Sequence, residues 1–390
     1  MVAAGDQSYL DMREARERFE ASVDFTIGLE EEFALVDPET LDLVQRFEEL
    51  HAACQADELL ADSAVGELIS SEIEIRSGRS ETFAEAVERQ RERRARLFAI
   101  ARDLGIALAA MGTHPWGSYL DQRIIDTPHY QRLRNELRWV AQRNNTWSLH
   151  VHVGVQGADR AVAVCDHLRG VLPELLAMSA NSPFLDGQPT GLHSVRTEIF
   201  TRTFPRCGVH EPFRDWASYV DFVDLLSRTG SIVESTQLWW SVRPHHAFGT
   251  VELRVCDAQS RGTESFAVAG LIAACVAQAA LDYDDRRLPE ALRQREVEEN
   301  LWRAIRYGME GKMIDFARRA EIPTRAAVER LVEWTGPARD LLGIDAPIPE
   351  ANGAERAYAA LAAGEEVEEI YRESVSETQR TYVPEGVSTT

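Results

Sequence analysis

Four segments of the chain alternate apolar residues with charged or imidazole residues, so each asks for a strand with one dry face and one polar face. In the first, TIGLEEEFALVD at 26–37, Phe25, Ile27, Leu29, Phe33 and Leu35 share a side with Glu31. Thr26, Gly28, Glu30 and Glu32 share the other. Glutamate suits neither strands nor cores. Glu31 is therefore expected as a buried acid paired with an arginine. Glu30 and Glu32 form a repelling pair, open on this segment alone to two readings: a solvated outer face, or carboxylates aimed at a cation. In SEIEIR, Glu72, Glu74 and Arg76 oppose Ile73 and Ile75. In LHVHVGV, His150 and His152 oppose Val151, Val153 and Val155, and in TVELRVCD, Glu252 and Arg254 oppose Val251, Leu253 and Val255. One such strand is ordinary surface. Four, all carrying metal-ligand or anion-binding groups, point to a sheet whose apolar face packs on helices and whose other face floors a cleft.

Carboxylates with a histidine or two and no cysteine make a hard site suited to Mg²⁺ or Mn²⁺. Zinc would prefer more histidines, and the chain has no HExxH. Crowded acids repel unless cations lie between them. Arginines beside them are matched to anionic oxygens, above all phosphates, in a bidentate fork. The chain has a single lysine, Lys312, and no GxxxxGK[ST] loop. ATP, if used, must be held by metal ions and arginines. Acids, metals and arginines on a sheet floor then point to phosphoryl transfer.

The net charge of −22 argues against nucleic-acid or anionic-membrane partners. No apolar run is expected to reach the eighteen or more residues of a membrane span. The acidic, helix-like start MVAAGDQSYLDMREARERFE lacks signal-peptide character, and Cys54, Cys165, Cys207, Cys256 and Cys275 form no CxxC. Both features favour a reducing cytoplasm.

The periodicity predicts helices over 7–21, 45–60, 80–104, 128–142, 158–180 and 212–228, and a helical region from about 260 onward with a break near 344–353. Strands are expected over 24–36, 67–76, the GIALAAMG segment, 146–155 and a pair within 239–257, with a long loop over 181–196. Strands scattered among helices without βαβ spacing indicate α+β with a mixed or antiparallel sheet.

The set GLEEEFALVDPET, GTHPW, HVHVGV, SANSPFLDGQPTG, Ser194–Arg196 and TVELRVCD, in this order, resembles the type 2 glutamate–cysteine ligase family of carboxylate–amine ligases. The resemblance covers about residues 22–280 and continues more loosely beyond. It implies a glutamine synthetase-like fold, with a curved, mainly antiparallel sheet forming a funnel in which two or three Mg²⁺ (or Mn²⁺) ions hold ATP. It further implies that glutamate and cysteine are joined through an acyl phosphate. Carried over by position, Glu30, Glu32, Glu67, Glu74, His150 and Glu252 match metal ligands. Arg254 matches a phosphate-binding arginine and Arg196 a substrate-carboxylate or phosphate arginine. Arg76, His152, His114 and Ser194 are the associated substrate- or nucleotide-side positions. Of these, His152 is ligand-supporting or structural, and His114 is a loop anchor or pocket wall with Trp116 beside it. His245 and His246 sit at a turn and carry no expected role. Glu67 and Glu74 have opposite strand parity, so both reach one site only across a bulge or turn.

The chain divides into an N-terminal helical extension (1–21), a catalytic domain (22–280) and a helical region packed on it (281–390). Its expected partners are small molecules, amino acids and ATP; a homo-oligomer is compatible with the sequence. Two other classes stay open: the same fold with a different amine acceptor or ending as a kinase, and a non-catalytic nucleotide- or metal-binding regulator. The intact acid set speaks against the regulator.

Overall fold

The computed structural model describes residues 10–383. A seven-stranded antiparallel sheet organises them. Its strands are β1 (Ile27–Val36), β2 (Ala64–Val65), β3 (Glu72–Arg76), β4 (Ala107–Ala109), β5 (Ser148–Gly154), β6 (Val242–His245) and β7 (Thr250–Asp257). The spatial order is β6-β7-β5-β1-β3-β2, with β4 paired to the end of β1. The longest strand, β1, is central because each of its faces has a destination: core on one side and acids on the other.

Ile27, Leu29, Leu149, Val151, Val153, Val251, Leu253 and Val255 enter one core with the helices Ala158–Leu168, Leu172–Ser179 and Gly262–Asp284. Burying each such side chain contributes about 1.5–3 kcal/mol. Phe33, Leu35, Ile73, Ile75, Leu97, Phe98 and Leu108 build a second core under the other end of the sheet. The helix Gly262–Asp284 is long and apolar enough to cross a membrane, contrary to expectation, but its apolar stretch is 78% buried inside the protein. It is a core helix.

Both ends of the described chain pack on this body. Met12, Ala15 and Phe19, one face of the helix Met12–Glu20, enter the first core. Asp11 caps that helix by accepting from Arg13 and Glu14 backbone N–H groups. The expected helix began at 7, and residues 7–9 lie outside the described residues. Val297, Leu301, Val328 and Leu331 join the first core, and Tyr371, Val375 and Tyr382 the second.

Several expectations need correction. The strand expected over 67–76 is strand only over Glu72–Arg76, because Ile69 bridges to Ile124 and Ser70 donates to the Arg123 carbonyl instead. The helix expected over 158–180 breaks at the 3₁₀ turn Arg169–Val171, just before Pro173, whose ring cannot continue the ladder. The helix over 128–142 breaks at Arg138, which has φ +55°. The long loop ends in a helix not foreseen, Val195–Thr203, and the C-terminal helical region contains a hairpin, Lys312–Asp315 with Ala320–Pro323.

Candidate active site

The acid-bearing face is assembled by register. Glu30 lies opposite Arg76 on β3 and opposite His150 on β5. Glu32 lies opposite Glu74. One step along, Arg243, Glu252, His152 and Gly28 form a row across β6, β7, β5 and β1. Alternation in four strands thus becomes one contiguous polar surface, all of it on the side away from the first core.

The contacts follow the rows. His150 Nδ1 is 3.4 Å from Glu30 Oε2, and His152 Nε2 is 3.4 Å from Glu30 Oε1 and 3.8 Å from Glu252. Ser148 donates to Glu32 through its backbone N–H (2.5 Å) and its hydroxyl (2.7 Å). Arg243 Nε donates to Glu252 at 2.6 Å, and Arg254 donates to the same carboxylate. Arg76 bridges Glu74 and Glu30. Glu31, as its parity requires, turns to the opposite face. There it meets Arg94, Ser265 and Gln90, the last at 2.8 Å.

A cavity of about 370 Å³ opens over this surface. Five carboxylates line it (Glu30, Glu32, Glu67, Glu234, Glu252), facing Arg76, Arg196, Arg243 and Arg254. Their electrostatics are uneven. Burial works against ionised Glu30, but His152, His150 and Arg76 outweigh it and hold the carboxyl well below its usual range. Glu252 is likewise held low, burial being overcome by Arg243 and Arg254. Burial and neighbouring Glu32 push Glu67 up to about 7. Burial and Glu30 push Glu74 well up, and burial with Glu32 does the same to Glu72. Burial and the Arg254 charge lower His150, which is therefore neutral at neutral pH and free to act as a ligand.

Acids that ionise only with difficulty among themselves are suited to a cation between them. Three groups place ligand atoms mutually within 4.8 Å: Glu30–His152–Glu252, Glu30–Glu74–His150 and Glu32–Glu67–Glu74. Their donors are carboxylate oxygens and imidazole nitrogens with no thiolate, the set that fits Mg²⁺ or Mn²⁺. The Nε atoms of Arg196 and Arg254 are buried and make no hydrogen bond, leaving donors for an anion.

Glu30, Glu32, Glu67, His150, His152, Arg76, Arg196, Glu252 and Arg254 all line the cleft, and Glu74 sits buried at its floor within two of the ligand groups. Glu67 and Glu74 do converge, because Glu67 lies in the segment before β3 and strand parity does not govern it. His114 and Ser194 do not line the cleft. His114 is buried in its loop, held neutral by burial with a pKa near 4. Its Nδ1 accepts from Gly117 N–H (2.9 Å) and Trp116 N–H (3.3 Å), so Nε2 carries the proton donated to the Leu41 carbonyl (2.8 Å). Ser194 caps the helix Val195–Thr203 and donates to Asp257 at 2.9 Å. It positions the helix that carries Arg196, whose Nη atoms donate to the Val255 and Arg254 carbonyls.

Arg243, His245, Phe248, Tyr130 and Gln237 also line the cleft and were not anticipated. For Arg243 a signal existed, since in a hairpin it falls opposite Glu252. Tyr130 and Gln237 come from a helix and a 3₁₀ turn remote in sequence, and no strand pattern announces them.

The glutamate–cysteine ligase family 2 model matches residues 26–369. A relative from Rubrobacter xylanophilus, provisionally named glutamate–cysteine ligase 2-2, is 37% identical over 356 residues, covering 91% of each chain. One from Sorangium cellulosum, provisionally named glutamate–cysteine ligase 2, is 39% identical over 319 residues, covering 82% of this chain and 85% of that one. Among solved structures, the glutamate–cysteine ligase of Francisella tularensis in complex with AMP superposes with a TM-score of 0.65 at 12% identity, covering 92% of this chain and 89% of the other. A bifunctional glutathione synthetase from Pasteurella multocida gives 0.66 at 12% identity, covering 94% of this chain but only 53% of its own length. At that identity the likeness is one of fold, the α+β, glutamine synthetase-like architecture expected above. The matched family model and the length of the sequence matches together make this chain a member of glutamate–cysteine ligase family 2.

Proposed function

We propose that the protein is an ATP-dependent carboxylate–amine ligase that joins the γ-carboxyl of L-glutamate to the amino group of L-cysteine. The observation that carries this is the juxtaposition, in one cleft, of three hard-ligand groups sharing Glu30 and Glu74 with two guanidiniums whose buried Nε donors have no partner. A family relationship supports the ligase class, and the fold-level neighbour was solved with AMP.

A carboxylate is a poor acylating agent. In the proposed reaction a γ-carboxylate oxygen attacks the γ-phosphorus of ATP, the bond to the β-phosphate oxygen breaks, and acyl phosphate and ADP result. The acceptor nitrogen then attacks the acyl carbon and phosphate leaves. The ammonium loses two protons in all, one to the departing phosphate and one to solvent. Divalent cations bound by Glu30, Glu32, Glu67, Glu74, His150, His152 and Glu252 would supply charge neutralisation for the phosphates. Arg254 and Arg196 orient anionic oxygens by forked hydrogen bonds, and their rigid, buried setting stabilises charge that grows on the transferring phosphoryl group. Arg76 and Arg243 hold Glu74, Glu30 and Glu252 in place.

The test incubates the protein with ATP, Mg²⁺ and glutamate, adding amino acids one at a time, and reads products by mass spectrometry. Sustained ADP release should require an amine and yield a γ-glutamyl amide. A phosphorylated product accumulating at the same rate without an amine would identify a kinase instead. A different amide would move only the acceptor.

A further inference from the structure

The SANSPFLDG segment carries an asparagine that the acid cleft does not use. Asn181 is 1% exposed and lines a separate cavity of about 190 Å³. The cavity lies between the helices Gly353–Ala362 and Val367–Tyr382 and the segment that leads into Gly262–Asp284. It shares no lining residue with the acid cleft.

Hydrogen bonds fix the polarity of its floor. Asn181 Nδ2 donates to the carbonyls of Ala258 (2.8 Å) and Ala110 (3.3 Å) and to the Ser260 hydroxyl oxygen (3.0 Å). Turned over, the amide would set its oxygen against two carbonyl oxygens. Oδ1 is therefore the free atom, buried and without a hydrogen-bond partner among the described residues. It faces Gly353, another lining residue, where a Cβ would lie 1.9 Å away; only glycine leaves this oxygen uncovered. Ser260 donates to the Ala110 carbonyl at 3.0 Å, so the 2.7 Å bond between Ser260 and Ser374 is donated by Ser374. The lone pairs of Ser374 Oγ are left over. The unused polar atoms of the floor, Asn181 Oδ1 and Ser374 Oγ, are both acceptors.

The charges at the mouth agree. Arg261 is taken up by Glu377, with Nε donating at 2.8 Å, and Arg356 by Glu264 at 2.7 and 2.8 Å. Glu365 and Glu373 remain, both exposed, and Glu373 meets Arg380 loosely at 3.9 Å. Met111, Ala357 and Ile370 give the rest of the wall an apolar surface. A carboxylate or phosphate entering here would meet acceptors and surplus acid. A primary ammonium brings three N–H donors, no acceptor and a positive charge.

The floor is also joined to the reaction side of the molecule. The Asn181 backbone N–H donates to Asp257 at 2.8 Å. Asp257 accepts from Ser194, the cap of the helix Val195–Thr203, and lies 3.5 Å from Arg196.

We propose that this cavity is a second ligand site, for a small primary ammonium compound with a short apolar body. The ammonium sits on Asn181 Oδ1 and Ser374 Oγ beneath Glu365 and Glu373, the body lies against Met111 and Ile370, and occupancy steadies the Asn181–Asp257 link to the Arg196 helix. The assignment stands apart from the ligase reading.

The experiment titrates nucleotide-free protein with n-butylammonium chloride and with tetramethylammonium chloride at constant ionic strength, read by NMR. Tetramethylammonium carries the same charge without an N–H donor. The variants are Ala360→Leu, which narrows the cavity from its lining, and the double change Glu365→Gln with Glu373→Gln at exposed positions; melting curves check both folds. Butylammonium should bind the wild type at least about fivefold more tightly than tetramethylammonium does, and each variant should weaken it by at least about fivefold. Hydrogen exchange of peptides within 181–204 should slow at saturating butylammonium in the wild type and not in Ala360→Leu. Equal affinity for the two cations, affinity unchanged in both variants, or binding lost in Glu32→Gln but kept in Ala360→Leu would each overturn the site and leave the ligase reading standing. Binding at the cavity with unchanged exchange over 181–204 would overturn the link to Arg196.

Discussion

Glu30 and Glu31 are adjacent and have opposite fates. Glu30 faces the ligand groups, and Glu31 is buried against Arg94 on the core side. Glu30→Gln should fold normally and lose at least about a hundredfold in kcat. Glu31→Gln should lose about 3 kcal/mol or more of stability, since it leaves the Arg94 guanidinium buried without its counter-charge, yet retain turnover well below its melting temperature. Denaturant melts paired with steady-state rates separate the two; a catalytic loss in Glu31→Gln at full folding would contradict the assignment by face. Arg254 poses a different question. Its side chain meets Glu252 and approaches His150 at 3.4 Å, and a simple charge there could be replaced by lysine. On the proposed forked grip, Arg254→Lys should fail nearly as badly as Arg254→Ala, each by about a hundredfold in kcat or about 2.7 kcal/mol of transition-state stabilisation. Near-normal kcat in the alanine variant would reduce Arg254 to a partner of Glu252.

Among elements, the helix Val195–Thr203 and strand β7 work as a unit. The register of β7 against β5 slips between Leu253 and Cys256, so that three steps on β7 match two on β5. This bulge lets Val255 and Cys256 both enter the core and brings Asp257 back beside Ser148. Asp257 then accepts from Ser182, Ser194 and the Asn181 N–H, and lies 3.5 Å from Arg196. Ser194→Ala removes a helix cap and one donor to a buried carboxylate. It should cost about 1–2 kcal/mol and raise KM for the acidic substrate more than it lowers kcat, because Arg196 is displaced rather than lost. Equal kcat loss without a KM change would argue that Ser194 acts on chemistry directly. The alternation in β1, β3, β5 and β7 was readable from residues alone. The bulge was not, because pairing register depends on the partner strand and on how many residues the core accepts.

For the molecule as a whole, the proposed cation sites in the acid cleft should couple cation binding to protons. The Glu67 carboxyl is raised to about 7 by burial and Glu32, against an unfolded value near 4.5. Between those values the folded state holds more protons than the unfolded, so stability of the metal-free protein should fall as pH rises through that window. Glu67→Gln removes this term, and the melting-temperature gain of the variant over wild type should grow from about pH 4.5 to 7 and then level off. Mg²⁺ or Mn²⁺ should bind with proton release in the same range, read by calorimetry in buffers of differing ionisation enthalpy. A variant gain independent of pH, or cation binding without proton release, would remove Glu67 from the site.

The residues themselves determined that four strands would each have a dry and a charged face, that the charged groups were hard ligands and arginines, and that Glu31 would part from its neighbours. These follow from local alternation and side-chain chemistry, which need no partner to be read. Tertiary structure alone decided which strands lie side by side, and hence that Glu252 meets His152 and Glu30 meets Arg76. It decided that Glu67 reaches Glu74 from outside the strand, and that His114 and Ser194 brace loops and helices instead of lining the cleft. It also decided that the N-terminal helix pins the Phe248 turn. Apart from the local Glu67–Glu74 and His114–Gly117 contacts, these depend on residues tens to hundreds of positions apart, and a periodicity of two or 3.6 residues holds no information at that range.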